Sequence, residues 1–254
     1  MECILKAEDL SYSIEGKPIL SGVSFEVLKG EILGIAGQSG GGKTTLARII
    51  AGLLEPDSGC ITPGRGISGN NKPHEIQILF QNNGELLNPF RKVNDVITEA
   101  LRLRHKNRAD IVREKEALFS ALSIPALLLE RKGFELSSGE QQRIALARIL
   151  AVRPEILIVD EPFSAQDIKS VVNLREVFRR INKEFNVTII CISHSLRILG
   201  SFADNIIILY KGRIIEKASA GNLIRCPEHS YTKFLLGAEN LELKSEDFNI
   251  PELF

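Results

Sequence analysis

Ile35-Ala-Gly-Gln-Ser-Gly-Gly-Gly-Lys-Thr-Thr45 is the stretch from which the rest of the chain can be read. It follows an apolar run, Glu31-Ile-Leu-Gly-Ile-Ala36, with the character of a short buried strand. It precedes Leu46-Ala-Arg-Ile-Ile-Ala51, whose apolar spacing predicts a helix. Gly37, Gly42, Lys43 and Thr44 satisfy the pattern G-x-x-x-x-G-K-[ST], and the strand before and helix after supply the context that pattern needs. Glycine freedom lets successive N–H groups, from Gln38 through Ser39, Gly40, Gly41 and on to Thr45, curl inward around an anion. The following helix turns its positive end toward the same anion. Lys43 is expected to reach the β- and γ-phosphates of a nucleotide and Thr44 to hold Mg²⁺. A glycine-rich turn that binds nothing has no use for the lysine and hydroxyl at these places.

The chain of 254 residues is 44% hydrophobic and 25% charged, enough to bury a good core as one large domain or as a domain with a sizeable insertion. Its formal net charge is zero, so no overall field draws it to nucleic acid or an anionic membrane. Cys3, Cys60, Cys191 and Cys226 are scattered without a C-x-x-C pair, which points away from a zinc or iron–sulfur site and toward reduced thiols. Met1 to Glu8 lack the order of a signal peptide, and no apolar run reaches the ~18 residues that span a bilayer. Any membrane link is therefore expected to run through a partner.

Upstream of the loop, Leu10 to Ile14 and Ile19 to Val27 alternate around a Gly16-Lys-Pro18 turn and predict antiparallel strands. Tyr12 there is either a half-buried strand aromatic or a ring stacked on a purine. Downstream, residues 60–75 are rich in Gly, Asn and Pro and read as a surface hairpin or loop. Glu75 to Phe80 then alternate into a strand, placing Gln81 at its carboxyl end, where it could bind a metal-bound water or merely cap the strand.

Residues of about 82–150 carry helical spacing, over Val93–Leu103, Asp110–Leu122 and Gln141–Ala151, with Asp110 as an N-cap. They read as a helical insertion on an α/β core. Arg102-Leu-Arg-His-Lys-Asn-Arg108 within it reads as a solvated helix end, having no interleaved aromatics to suit nucleic acid. Ser137 and Glu140 make a capping box, so a helix starts there. A serine hydroxyl, the Gly139 N–H and a helix N-terminus could equally form a second anion site.

Pro154 to Asp160 is a continuous apolar run that predicts a buried parallel strand ending in two acids. Asp160 is expected to bind Mg²⁺ and Glu161 to orient and deprotonate an attacking water. Val187 to Ile192 is a second such strand, and it ends at Ser193-His194. His194 either contacts a γ-phosphate or bonds to backbone. Ile206–Tyr210 and Arg213–Glu216 predict a hairpin, Tyr231–Leu236 a short helix, and nothing is assigned past Gly237.

In this order the motifs resemble the nucleotide-binding subunit of an ABC transporter, over residues 1 to about 235. The most family-specific stretch is Leu136-Ser-Ser-Gly-Glu140, which is similar to the LSGGQ signature with Ser138 for a glycine and Glu140 for glutamine. The resemblance implies a P-loop NTPase core with an N-terminal antiparallel β subdomain and an inserted helical subdomain. It bounds the ATPase domain at 1–236 and leaves 237–254 as a tail. It makes Tyr12 the aromatic under adenine, Gln81 the Q-loop residue, Ser164 to Asp167 the D-loop and His194 the switch histidine. Ser137 and Gly139 are implied to face the nucleotide of a second ATPase subunit, which is either a copy or a paralogue.

Phe80-Gln-Asn-Asn-Gly-Glu-Leu-Leu-Asn-Pro89 and Cys226-Pro-Glu-His-Ser-Tyr-Thr-Lys-Phe-Leu235 resemble segments of the oligopeptide, dipeptide and nickel importers. The implied cofactors are ATP and Mg²⁺. The implied partners are integral membrane permease subunits, met by Leu86, Leu87, Pro89 and Phe90, and an extracytoplasmic substrate-binding protein if the direction is import. The implied location is the cytoplasmic face of the plasma membrane, and no nucleic-acid partner is implied. A soluble ATPase of the same superfamily without a permease is the alternative. A P-loop phosphotransferase would have no use for the Leu136–Glu140 segment.

Overall fold

The computed structural model describes residues 2–64, 67, 75–80, 87–164 and 168–240. Two β-strands, β1 (Cys3–Ile14) and β2 (Lys17–Leu28), pair antiparallel about a turn at Glu15-Gly16. Pro18 sits on β2, an edge strand, where proline is tolerated. The stretch read as a surface hairpin or loop from residue 60 begins as a strand: β4 (Ser58–Pro63) pairs with β1 to complete a three-stranded sheet. Gly59 permits this pairing, because a Cβ there would lie 2.3 Å from the Glu8 carbonyl oxygen.

The second sheet has six strands. They are β3 (Ile32–Ala36), β5 (Ile76–Leu79), β6 (Ile156–Asp160), β7 (Thr188–Ser193), β8 (Asn205–Tyr210) and β9 (Arg213–Ser219). Their order is β5-β6-β7-β3-β8-β9, parallel except for the final hairpin. The near-continuous apolar runs have their cause in this arrangement, since both faces are covered. Ile156 and Ile158 of β6 and Ile190 and Ile192 of β7 face one core, shared with the three-stranded sheet and helix α1 (Lys43–Ile50). Leu157, Val159, Ile189 and Cys191 alternate to the other face, against the remaining helices.

Those helices include α2 (Val93–Arg102), α3 (Arg108–Ala121) and α4 (Ser138–Leu150), within the stretch read as the inserted subdomain. The cap of α3 is Asn107 rather than Asp110. Its Oδ1 accepts the Ala109 N–H at 3.0 Å, and Asp110 lies in the first turn, ion-paired with Arg113. The basic stretch is only partly solvated. Arg104 and His105 both turn to the carboxylate of Glu114, which is 7% exposed and also receives Arg153 from beyond α4. Burial pushes the Glu114 carboxyl up, but hydrogen bonds from Arg153 and His105 and the charges of Arg104 and Arg153 outweigh it and hold the group below its ordinary value.

After β6 come α5 (Ile168–Phe185), α6 (Leu196–Gly200), α7 (Ala220–Arg225) and α8 (Ser230–Asn240). Helix α8 runs four residues beyond the Leu236 limit expected from the sequence. Its extension has a partner: Glu239 accepts N–H groups at the start of α6.

Candidate functional site: a phosphate cradle facing a carboxylate and a histidine

The loop between β3 and α1 folds as a cradle because two of its glycines have no room for a side chain. At Gly37 (φ +149°) a Cβ would lie 2.1 Å from the Leu209 carbonyl oxygen, and at Gly42 (φ +95°) 2.8 Å from Leu20. The Lys43 ammonium folds back over the loop, donating to the carbonyls of Gly37 (2.7 Å) and Gln38 (2.9 Å). Burial pulls its pKa down, while Glu161 and Asp160 pull it up. The lysine is thus fixed and partly stripped of water at the place where anionic oxygens would compete for it.

Asp160 ends β6 beside this loop. Its Oδ2 accepts the Thr44 hydroxyl at 2.8 Å, whereas Oδ1 is buried with no hydrogen-bond partner among the described residues. Burial raises the Asp160 pKa, opposed by Thr44 and then by Lys43. A buried carboxylate oxygen with an empty lone pair, next to a threonine hydroxyl, suits a hard divalent cation with oxygen ligands. Thr44 and Asp160 are the residues that would hold Mg²⁺.

Glu161 follows at φ +50°, a left-handed conformation that costs of order 1–3 kcal/mol outside glycine. Its N–H is tied to the Ile192 carbonyl at 3.0 Å, and its carbonyl accepts the Ser164 hydroxyl at 3.0 Å. The strained turn swings the carboxylate across to β7, where Oε2 lies 2.9 Å from Nδ1 of His194. Ser39, Gly40, Gly42, Lys43, Thr44, Thr45, Glu161 and His194 thereby line one open depression of about 430 Å³, joined by Ile19.

Tyr12 does not line that depression. It pairs with Leu20 on β2, next to Ile19. Gln81, Gln166 and Asp167 lie outside the described residues. Ser137 caps α4, and both its N–H and its hydroxyl donate to Glu140 Oε2 at 2.8 Å. A Cβ on Gly139 would meet nothing within 4 Å.

The family model described as ABC transporter matches residues 20–164. The dipeptide transport ATP-binding protein DppD of Bacillus subtilis is 34% identical, over 100% of this chain and 84% of that protein. The chain belongs to the ABC transporter ATP-binding family. The oligopeptide transport ATP-binding protein OppF of Lactococcus lactis is 33% identical over 86% of this ABC ATPase and 71% of its own length. Among solved structures, cbiO1 of Clostridium perfringens, part of the ABC transporter complex cbiONQ, superimposes with a TM-score of 0.80 at 26% identity. That match covers 95% of this chain and 98% of the other. The fold is thus that of an ABC cassette, and the chemistry is ATP hydrolysis.

Two contributions to the ABC ATPase site are absent from the sequence-based list. Ile19 comes from the antiparallel sheet, and only the packing of β2 on the loop brings it near. Tyr231 of α8 accepts the Gln38 N–H on its hydroxyl at 3.1 Å, bracing the loop from behind. Its signal was the segment Cys226–Leu235, which marked a subfamily but carried no assigned contact. That segment is itself anchored: Glu216 accepts the N–H groups of Glu228 and His229 and the Thr232 hydroxyl.

Proposed function

We propose that this ABC ATPase drives peptide import through a partner membrane permease, from the cytoplasmic face of the membrane, alongside a second ATPase subunit. Lys43 and the loop N–H groups bind the triphosphate, and Tyr12 lies under the adenine. Thr44 and Asp160 hold Mg²⁺, which supplies charge neutralisation between phosphate oxygens when bound. Glu161 takes the proton of the attacking water, and His194 contacts the γ-phosphate. Gln81 is assigned to the same metal and water. Ser137 and Gly139 meet the nucleotide of the other subunit. Peptide as the cargo is supported by the names of the relatives, which refer to dipeptide and oligopeptide transport.

The observation that carries the coupling to a permease is a groove of about 520 Å³ between the helical layer and the six-stranded sheet. Ile78 and Val96 are on its walls, and Leu103, 66% exposed, is at its rim. Phe90 and Phe134, 76% and 61% exposed, pack against each other at a centroid distance of 6.5 Å. Leu87, expected on this surface, is instead buried in the core, and Leu86 lies outside the described residues. Among the described residues no helix is long and apolar enough to cross a membrane.

A short amphipathic helix on the permease is the expected occupant. Leu103→Glu is expected to abolish co-purification with the permease while the melting temperature stays within about 3 °C of wild type. Retention of the permease by Leu103→Glu, or purification of the native protein without any membrane partner, would overturn this reading. Separately, Asp160→Asn is expected to make nucleotide affinity indifferent to a Mg²⁺ chelator, by titration calorimetry. A retained chelator response would remove Asp160 from the metal site.

A further inference from the structure

We propose that Glu239 is a positioning residue for His194, and that helix α8 holds the phosphate loop and the His194 turn in register with each other. The inference rests on the role proposed above for His194. Helix α8 is attached to the site at two places. In its first turn Tyr231, buried, accepts the Gln38 N–H of the phosphate loop at 3.1 Å. The same ring lies against Tyr210, centroid to centroid 4.0 Å. Tyr210 follows Leu209, whose carbonyl is the one that excludes a side chain at Gly37. Two turns further on, Glu239 reaches the segment that follows His194. Its Oε1 accepts the Leu196 N–H at 2.5 Å, and its Oε2 accepts the Arg197 N–H at 3.1 Å and the Ser195 hydroxyl at 3.4 Å.

Three consecutive residues after His194 are thus tied to one carboxylate. Glu239 makes no ion pair among the described residues, so N–H groups at the start of α6 balance its charge. Helix α6 has five residues, too few for its own ladder to fix its direction. Buried Leu196 and Leu199 seat α6 in the core, and the Ser195 N–H donates to Ser193 Oγ at 3.1 Å. The Glu239 carboxylate adds the ties from α8 that complete the direction in which His194 leaves β7. His194 is itself largely exposed, and Glu161 Oε2 lies 2.9 Å from its Nδ1. With Glu239 neutralised, the first N–H groups of α6 turn to water and His194 swings away from the line joining Glu161 to the phosphate loop.

The test is a cycle of Glu239→Gln, His194→Ala and the double variant, measured as steady-state ATP hydrolysis by the complex purified through a tag on this chain. An amide can still accept an N–H but loses the charge-assisted strength. Glu239→Gln is therefore expected to lower kcat by about tenfold. The half-saturating ATP concentration is expected to stay within about twofold, because the phosphate loop keeps Tyr231. The double variant is expected to be no slower than His194→Ala, since the two act in series. Wild-type turnover by Glu239→Gln, or a double variant slower by the product of both single losses, overturns the proposal. If His194→Ala turns over normally, the role given to His194 falls, and this inference with it. If His194→Ala is slow and Glu239→Gln is not, only this inference falls.

Discussion

Alanine in place of Lys43 is expected to weaken ATP binding by at least about a hundredfold, measured by equilibrium titration with a fluorescent nucleotide. The ammonium is held over the cradle by the carbonyls of Gly37 and Gln38, at 2.7 and 2.9 Å, so its position is set before any nucleotide arrives. Burial lowers its pKa, which means that the charge is incompletely solvated and gains more from a phosphate than a surface lysine would. Removing it also leaves two loop carbonyls without a donor, at a cost of about 1–3 kcal/mol each if they stay dry. The loop would then relax as well as lose its cation. An alanine variant that binds ATP within a few-fold of wild type would mean that the backbone N–H groups alone carry the affinity.

Glu161→Gln is expected to separate binding from turnover. The amide occupies the same volume on the same strained turn, and the tie of the Glu161 N–H to the Ile192 carbonyl involves only backbone. Nucleotide affinity is therefore expected to stay near wild type. The proton acceptor is lost, so kcat is expected to fall by about 10²–10⁴-fold. Because ATP then persists between two subunits, the variant is expected to run as a closed pair with ATP and as separate subunits with ADP, by size-exclusion chromatography with light scattering. Full turnover, or no change of size with ATP, would refute the role of Glu161 as base or the shared nucleotide respectively.

The large sheet was legible because a strand covered on both faces can be written in only a few residue types. Pro154 to Asp160 and Val187 to Ile192 have almost no polar interruption, and a buried parallel position is where such runs survive. The phosphate loop was legible for a different reason: at Gly37 and Gly42 a Cβ would lie within 3 Å of a neighbouring atom, so at those two positions the motif records a steric fact. What escaped was held together by contacts distant in sequence. Strand β4 is a poor strand by composition, and it forms because β1 offers an open edge. The far end of α8 contains Gly237 and has weak patterning, and it is held by α6, some forty residues earlier. Ile19 reaches the nucleotide depression only through the packing of one sheet on another. The cap of α3 was misplaced by three residues because asparagine and aspartate serve equally well at that position and only the backbone angles decide.

The Glu114 cluster gives the helical layer a mechanical character. Arg153, which Glu114 grips from α3, lies just before β6, and Gln142 of α4 donates to the Pro162 carbonyl just after it at 3.0 Å. The strand that carries Asp160 and Glu161 is therefore clamped to the same block of helices at both of its ends. Glu114, 7% exposed, gathers three partly exposed side chains and so links α3 to the approach to β6. A displacement of this block is therefore expected to carry Asp160 and Glu161 with it, as the short arm of a crank.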